Sequence, residues 1–350
     1  MIKRLAFAVP GDLSTPTGGY AFDRRMVAEL KALGWTIDLI NLGENFPWPS
    51  KETRAAAEAR LLMVPESCPI IMDGLALGVL PEAARRLRAN HVLVALVHHP
   101  LALEAGLTAA QADILRASER SALAAAKHVV VTSQATAQRV TAEYGVAEDK
   151  ITVARPGNDI AAHAPGNRDG IVRILSVGAV VPRKGFDILL AALATLADLP
   201  WRLTIAGDRN RDPRTAAQLD ADIVRLKLSE RVSVLGAVSS DRIAELYAGA
   251  DIFALASRFE GYGMAYSEAI AHGLPVIGTR AGAIPDTVPP GAGVLVAPDD
   301  VPAFAQALRR VISSTDERER LSAAARTAAA SLPTWKECAK ILSRALETLA

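Results

Sequence analysis

The sequence predicts an α/β protein built from two Rossmann-like halves, each a doubly wound parallel sheet. Three observations carry this. The chain has 350 residues, enough for two domains of ordinary size. Apolar strand-like runs alternate with amphipathic helical stretches at about 30-residue spacing, the pattern of a parallel sheet covered on both faces. A turn-rich stretch without apolar periodicity, 156–170, interrupts this alternation, which then restarts.

In the first half, residues 2–9 form an apolar strand, followed by a loop rich in Pro, Gly, Ser and Thr. Phe22, Met26, Val27, Leu30 and Leu33 share one face of a helix that ends at Gly34. Trp35–Asn41 is the second strand, 43–50 is irregular, and 51–62 is helical. Strands at 69–72, 91–97, 129–132 and 151–153 alternate with helices at 81–89, 109–126 and 134–144. The expected first domain is 1–160 and the linker 161–170.

The second half, expected at 171–331, places strands at 171–177, 202–206, 231–235, 251–256, 275–278 and 293–296. Helices are expected at 185–197, 213–227, 240–248, 264–271, 300–313 and 316–330. A last helix, 334–350, could pack back on the first domain. Two doubly wound halves imply a cleft lined by strand C-terminal ends.

Bulk properties narrow the function. Half the residues are hydrophobic and 22% are charged, so the chain is globular. The formal charge is +1, without a basic stripe interleaved with aromatics, which argues against a nucleic-acid partner. Two distant cysteines, Cys68 and Cys338, fit unpaired thiols in a reducing cytoplasm. The apolar N-terminal run is too short for a signal peptide's core, and no stretch is long enough to cross a bilayer. Arg24, Arg25 and Lys31 give the first helix a faint basic face, which leaves peripheral contact with the inner membrane surface open.

The chemistry concentrates at 257–276. A strand leads into a glycine loop and then a helix, with Glu260 on the loop and Glu268 one turn into the helix. Loop amides and a helix N-terminus suit a phosphate, and an ionised carboxylate suits sugar hydroxyls. At the matching place after the first strand of this half stand Arg183 and Lys184, two cations at a strand-to-helix turn. In the first half, Gly18 and Gly19 follow a strand, and His98-His99 ends another. A histidine there could bond a substrate hydroxyl or act as a base. A glycosidase pair is disfavoured for Glu260 and Glu268, because both belong to one loop-helix unit. Asp220-Ala221-Asp222 lies inside a helical run, where residues two apart do not converge. It reads as a solvated face, and no metal is expected.

Taken together, Thr17-Gly18-Gly19, Val177-Gly178 through Gly185, Ala206-Gly207-Asp208, Leu235-Gly236, Ser257 through Gly263, His272 through Val276 and Gly282 through Asp286 resemble, in order and spacing, the motifs of family 4 glycosyltransferases. Glu260 and Glu268 resemble that family's E-x7-E pair. The resemblance implies a GT-B architecture and a retaining transfer of sugar from a nucleotide-diphosphate sugar to an unidentified acceptor, without metal or cofactor. It implies that Glu260, Lys184, Arg183 and His98 serve catalysis. It also implies that Gly18, Gly19, Gly236, Val238, Gly261, Tyr262, Gly263, Met264 and Glu268 bind the donor. Where the family often carries an arginine, this chain has Ala179, so either Arg183 supplies the charge or the donor is held more weakly. Other functions on the same architecture remain open: a sugar-nucleotide epimerase, a sugar phosphorylase, or a non-catalytic sugar-nucleotide-binding module.

Overall fold

A computed structural model describes residues 3–15, 17–104, 106–159, 161 and 170–349. The chain divides into two compact units, Met1–Gly157 with Pro333–Ala350, and Asn158–Leu332. The second unit thus begins at 158, not 171, and takes in the span expected as linker. Most of the expected linker, 162–169, lies outside the described residues.

The first unit runs β1 (Arg4–Val9), α1 (Gly18–Ala32), β2 (Thr36–Asn41), α2 (Lys51–Leu62), β3 (Ile70–Asp73), α3 (Gly74–Leu77), α4 (Pro81–Leu87), β4 (Leu93–Val97), α5 (Ala109–Ala125), β5 (His128–Val131), α6 (Gln134–Tyr144) and β6 (Ile151–Val153). All strands pair parallel, in the order β2-β1-β3-β4-β5-β6. Every residue of β3 and β4 is buried, as continuous apolar runs require when helices cover both faces. Helix α1 begins one turn earlier than glycine content alone suggests. The Thr17 hydroxyl accepts from Tyr20 N at 3.2 Å and caps it, so Gly18 and Gly19 form its first turn instead of a preceding loop.

The second unit runs β7 (Val172–Val177), α7 (Phe186–Ala194), β8 (Trp201–Ala206), α8 (Pro213–Arg225), β9 (Val232–Val234), α9 (Ser240–Ala248), β10 (Ile252–Ala254), α10 (Met264–Ala271), β11 (Val276–Thr279), α11 (Ile284–Thr287), β12 (Gly293–Val296), α12 (Val301–Ser313) and α13 (Thr315–Ala329). Its parallel sheet has the order β12-β11-β10-β7-β8-β9. The strand order reverses between β7 and β10, and the loops leaving their C-terminal ends are therefore neighbours. One core joins Phe186, Leu189, Trp201, Phe253, Tyr266 and Phe304.

Helix α14 (Trp335–Leu349) belongs to the first unit and packs against α1. Its Cys338 is buried against Met26, with Sγ 3.6 Å from Sδ, and Trp35 Nε1 donates to Ser343 Oγ at 2.9 Å. Cys68 is also buried, and both thiols are free.

One reading of α8 needs correction. Asp220 is exposed beside Arg209, but Asp222 is buried and accepts from Arg225 at 2.6 Å. Asp222 sits on the inner stripe with Ala216, Leu219 and Ile223, so only half of the acidic triplet is solvated.

Candidate active site

Two loops build the site in the second unit. The turn after β7 carries Arg183 and Lys184 as a single 3₁₀ turn, Pro182–Lys184, closed by Gly185. Gly185 has φ +65°, and a Cβ there would lie 2.0 Å from the carbonyl oxygen of Ala256. No side chain fits, so the turn lies directly against the end of the β10 loop. Arg258 locks the two loops. Its amide donates to Arg183 O at 2.8 Å, and its guanidinium donates to Pro182 O and to both oxygens of Asp187.

This approach places Lys184 Nζ 2.6 Å from Glu260 Oε1 and Arg183 NH1 3.1 Å from Glu260 Oε2. Arg183 also donates to Phe259 O, and the Ser257 hydroxyl donates to Glu260 Oε1 at 2.7 Å. Glu260 is 6% exposed. Burial acts to raise its pKa, but the charges of Lys184 and Arg183 and the bonds from Lys184 and Ser257 overcome it. The carboxyl is held at about 2 and is ionised.

Glu268 follows in α10. Tyr247 from α9 donates to its Oε2 at 2.9 Å, and the Tyr247 ring stacks on His272 at 5.1 Å. Burial pushes this carboxyl up to about 7, with the Tyr247 bond and the Lys184 charge acting downward and Asp159 acting upward. Two glutamates of one motif are thus held in opposite directions. Between them, Gly261, Tyr262 and Gly263 are buried, and Met264 opens α10. Gly263 gives α10 no side-chain cap, which leaves first-turn amides for a ligand. Gly236 and Val238 lie after β9, where Gly207 N donates to Gly236 O at 2.8 Å.

In the first unit, the structure brings Gly19 and His98 together. A Cβ at Gly19 would sit 3.2 Å from the His98 ring. His98 Nε2 lies 3.1 Å from Asp23 Oδ1 and 3.4 Å from Asp73 Oδ2, while its ring meets the edge of Phe22. Burial acts to lower the His98 pKa, and the two carboxylates outweigh it and push it up. Asp23 is raised chiefly by burial. Among the described residues this is the one group whose atoms cluster closely enough to consider for a metal ion. The Nε2–Oδ1 separation is within the range of a direct hydrogen bond, and the three groups form a cluster of opposite charges. His99 turns instead to Glu104, at 2.6 Å.

Sequence reasoning did not single out Tyr247, Asp23 or Asp73, and gave Ser257 no role of its own. Asp23 could have been found one helical turn after Gly19, on the face that carries Phe22 and Met26. Tyr247 and Asp73 carry no local signal, because only the sheet order brings them to their partners.

Residues 161–328 match the family described as "Glycosyl transferases group 1", and residues 72–162 match "Glycosyltransferase Family 4". The chain belongs to the family 4, group 1 glycosyltransferases. It is 32% identical over 228 residues to D-inositol 3-phosphate glycosyltransferase 1 of Catenulispora acidiphila, covering 59% of this chain and 53% of the relative. The chain thus spans about half the length of that curated relative. Among solved structures, sucrose-phosphate synthase from Thermosynechococcus elongatus superposes with a TM-score of 0.84 at 20% identity, covering 99% of each chain. Anabaena Alr3699/HepE, solved in complex with UDP and glucose, gives 0.79 at 20% identity, covering 99% of this chain and 100% of that one. These likenesses establish the GT-B fold of this family 4 chain.

Among the described residues no helix is long and apolar enough to cross a membrane. Of the basic residues on α1, Arg24 donates to Leu13 O and Thr15 O, and Arg25 lies over the Trp335 ring at 5.4 Å. Both cations therefore have intramolecular roles.

Proposed function

We propose that this protein is a retaining glycosyltransferase that moves a sugar from a nucleotide-diphosphate sugar to an acceptor, independently of metal. The observation that carries the reading is the buried cluster of Glu260, Lys184 and Arg183 beside the uncapped start of α10. Lys184, Arg183 and the α10 amides form a preorganised positive site for the leaving diphosphate. Glu260, kept ionised, accepts hydrogen bonds from donor-sugar hydroxyls. Glu268 takes the ribose hydroxyls, and Gly236 and Val238 lie near the base. The complex of the Anabaena neighbour with UDP and glucose supports a nucleotide sugar as donor.

The charge arrangement favours a front-face reaction. The bond from the anomeric carbon to the diphosphate oxygen breaks, and the acceptor oxygen bonds the same face. The departing diphosphate oxygen takes the acceptor proton. Glu260 is a poor nucleophile, because both its oxygens accept bonds from cations or a hydroxyl and its basicity is depressed.

Incubation with a panel of nucleotide sugars tests the reading. One donor is expected to raise the thermal midpoint and to be turned over with retention at the anomeric carbon, unaffected by a chelator. Inverted product, or turnover abolished by the chelator and restored by a divalent ion, would overturn it. Conversion of donor without any acceptor would indicate an epimerase, and binding without turnover a non-catalytic module.

A further inference from the structure

Two carboxylates converge on one ring nitrogen of His98. Burial and the nearby Asp73 raise the Asp23 carboxyl to about 7, and the Asp23 and Asp73 oxygens that face the ring act as acceptors, so Nε2, at 3.1 Å from Asp23 and 3.4 Å from Asp73, carries a proton and donates inward. Asp73 is itself fixed, since its Oδ1 accepts from Leu75 N at 2.7 Å. Asp23 is fully buried, and its Oδ2 has no hydrogen-bond partner among the described residues. A buried carboxylate of this kind demands a counter-charge, because an unpaired ion in a low-dielectric interior is costly. Among the described residues, no other group named here as facing His98 is a cation. Asp23 comes from α1 and Asp73 from the end of β3. Thr132, after β5, donates its hydroxyl to His98 O at 3.1 Å, and the adjacent His99 is turned to Glu104. The one cation among these groups is His98 itself, and it offsets one of the two carboxylates.

The other ring nitrogen looks outward. Nδ1 makes no hydrogen bond among the described residues, and the side chain is 19% exposed. With Nε2 committed inward, an imidazolium presents Nδ1–H to whatever occupies that face. We propose that Asp23 and Asp73 are positioning residues that hold His98 as an imidazolium, so that Nδ1–H donates to a substrate oxygen and the ring does not act as a base. This rests on the glycosyl-transfer reading, and it decides between the two roles a histidine at this strand end can take. Gly19 fits the same arrangement: its missing side chain leaves room for the ring.

The protonation state can be read without any activity. In the wild-type protein, the His98 Cε1 resonance is expected to stay at its charged position from about pH 5.5 to about pH 8.5, whereas an unperturbed imidazole loses its proton within that range. Asp23→Asn is expected to lower the His98 titration midpoint by about one to three pH units, the effect of removing an opposite charge at contact distance. In an active assay the same variant acquires a loss of kcat/KM as pH rises through the new midpoint. A merely structural role would not produce that limb. Asp73→Asn is the second variant, expected to move the midpoint in the same direction by less, and it serves if Asp23→Asn does not fold. A wild-type His98 that is neutral at pH 7, or a midpoint unmoved by either variant, overturns the proposal. A charged His98 in a protein that transfers no sugar would instead sink the functional reading and leave the His98 assignment standing.

Discussion

Lys184 and Glu260 are 76 residues apart in the chain and form a 2.6 Å ion pair in a buried site. The pair joins the loops of adjacent strands β7 and β10, where the strand order of the second sheet reverses. Removing one partner of a buried pair leaves an uncompensated charge, at a cost of about 3–5 kcal/mol. Lys184→Ala is therefore expected to lower the midpoint of thermal unfolding and, by removing a donor to the leaving group, to reduce turnover roughly 10²–10³-fold. Adding Glu260→Gln to that variant should restore part of the stability and none of the activity. A Lys184→Ala enzyme with full turnover would refute the leaving-group role, whatever its stability.

The pH dependence of donor binding should follow Glu268. Its carboxyl is raised to about 7, so it is ionised above that pH and protonated below it. Only the ionised form accepts two ribose hydroxyl bonds. The donor KM is accordingly expected to rise as pH falls from about 8 to about 6. Tyr247 donates to the carboxylate and so favours the ionised form; Tyr247→Phe should move the KM limb to higher pH. Glu268→Gln should raise KM and flatten the limb. An unshifted limb in Tyr247→Phe would assign that titration to another group.

Gly185 makes a sharper structural prediction. Its φ is +65°, and a Cβ would stand 2.0 Å from the Ala256 carbonyl oxygen. Gly185→Ala must push the β7 turn away from the β10 loop, which lengthens both contacts to Glu260. The variant is expected to lose stability by more than the ~1 kcal/mol typical of a strained glycine site, and to lose donor-induced thermal shift as well. Wild-type stability with an intact thermal shift would show that the two loops tolerate separation.

The sequence exposes most of this architecture because its signals are local. Continuous apolar runs such as Leu93–Val97 mark buried strands, and Thr17, Ser133 and Ser239 mark helix starts. The pair Glu260 and Glu268 is legible because both residues and the glycines between them lie on one loop and helix. What surrounds the pair is not legible in the same way. Tyr247 reaches Glu268 from a different helix, and Asp73 reaches His98 from a different strand. Such partners are set by sheet order and crossover geometry, which no short window contains. The extra turn at the start of α1 has a different cause: the Thr17 cap outweighs the poor helix propensity of two glycines.

The first unit is completed by a helix from the far end of the chain, and this can be tested at one residue. On α14, Cys338, Ala339, Leu342 and Leu346 are all 0% exposed, and Trp335 meets Phe22 ring to ring at 6.1 Å. Helix α1, which carries Phe22, Asp23 and Met26, is thus supported from behind by a segment more than 300 residues later. Leu342→Ala removes buried methyl groups from this contact and should cost about 2–5 kcal/mol in urea unfolding. Trp35→Phe, which loses the bond to Ser343 together with part of a buried ring, should cost more than the about 1 kcal/mol of that bond alone. Because Phe22 and Asp23 touch His98 from the same helix, the Leu342→Ala protein should also show broadened His98 resonances at temperatures where the wild type is still fully folded. If Leu342→Ala unfolds at the wild-type urea midpoint, α14 is an appendage and α1 is held by the sheet alone.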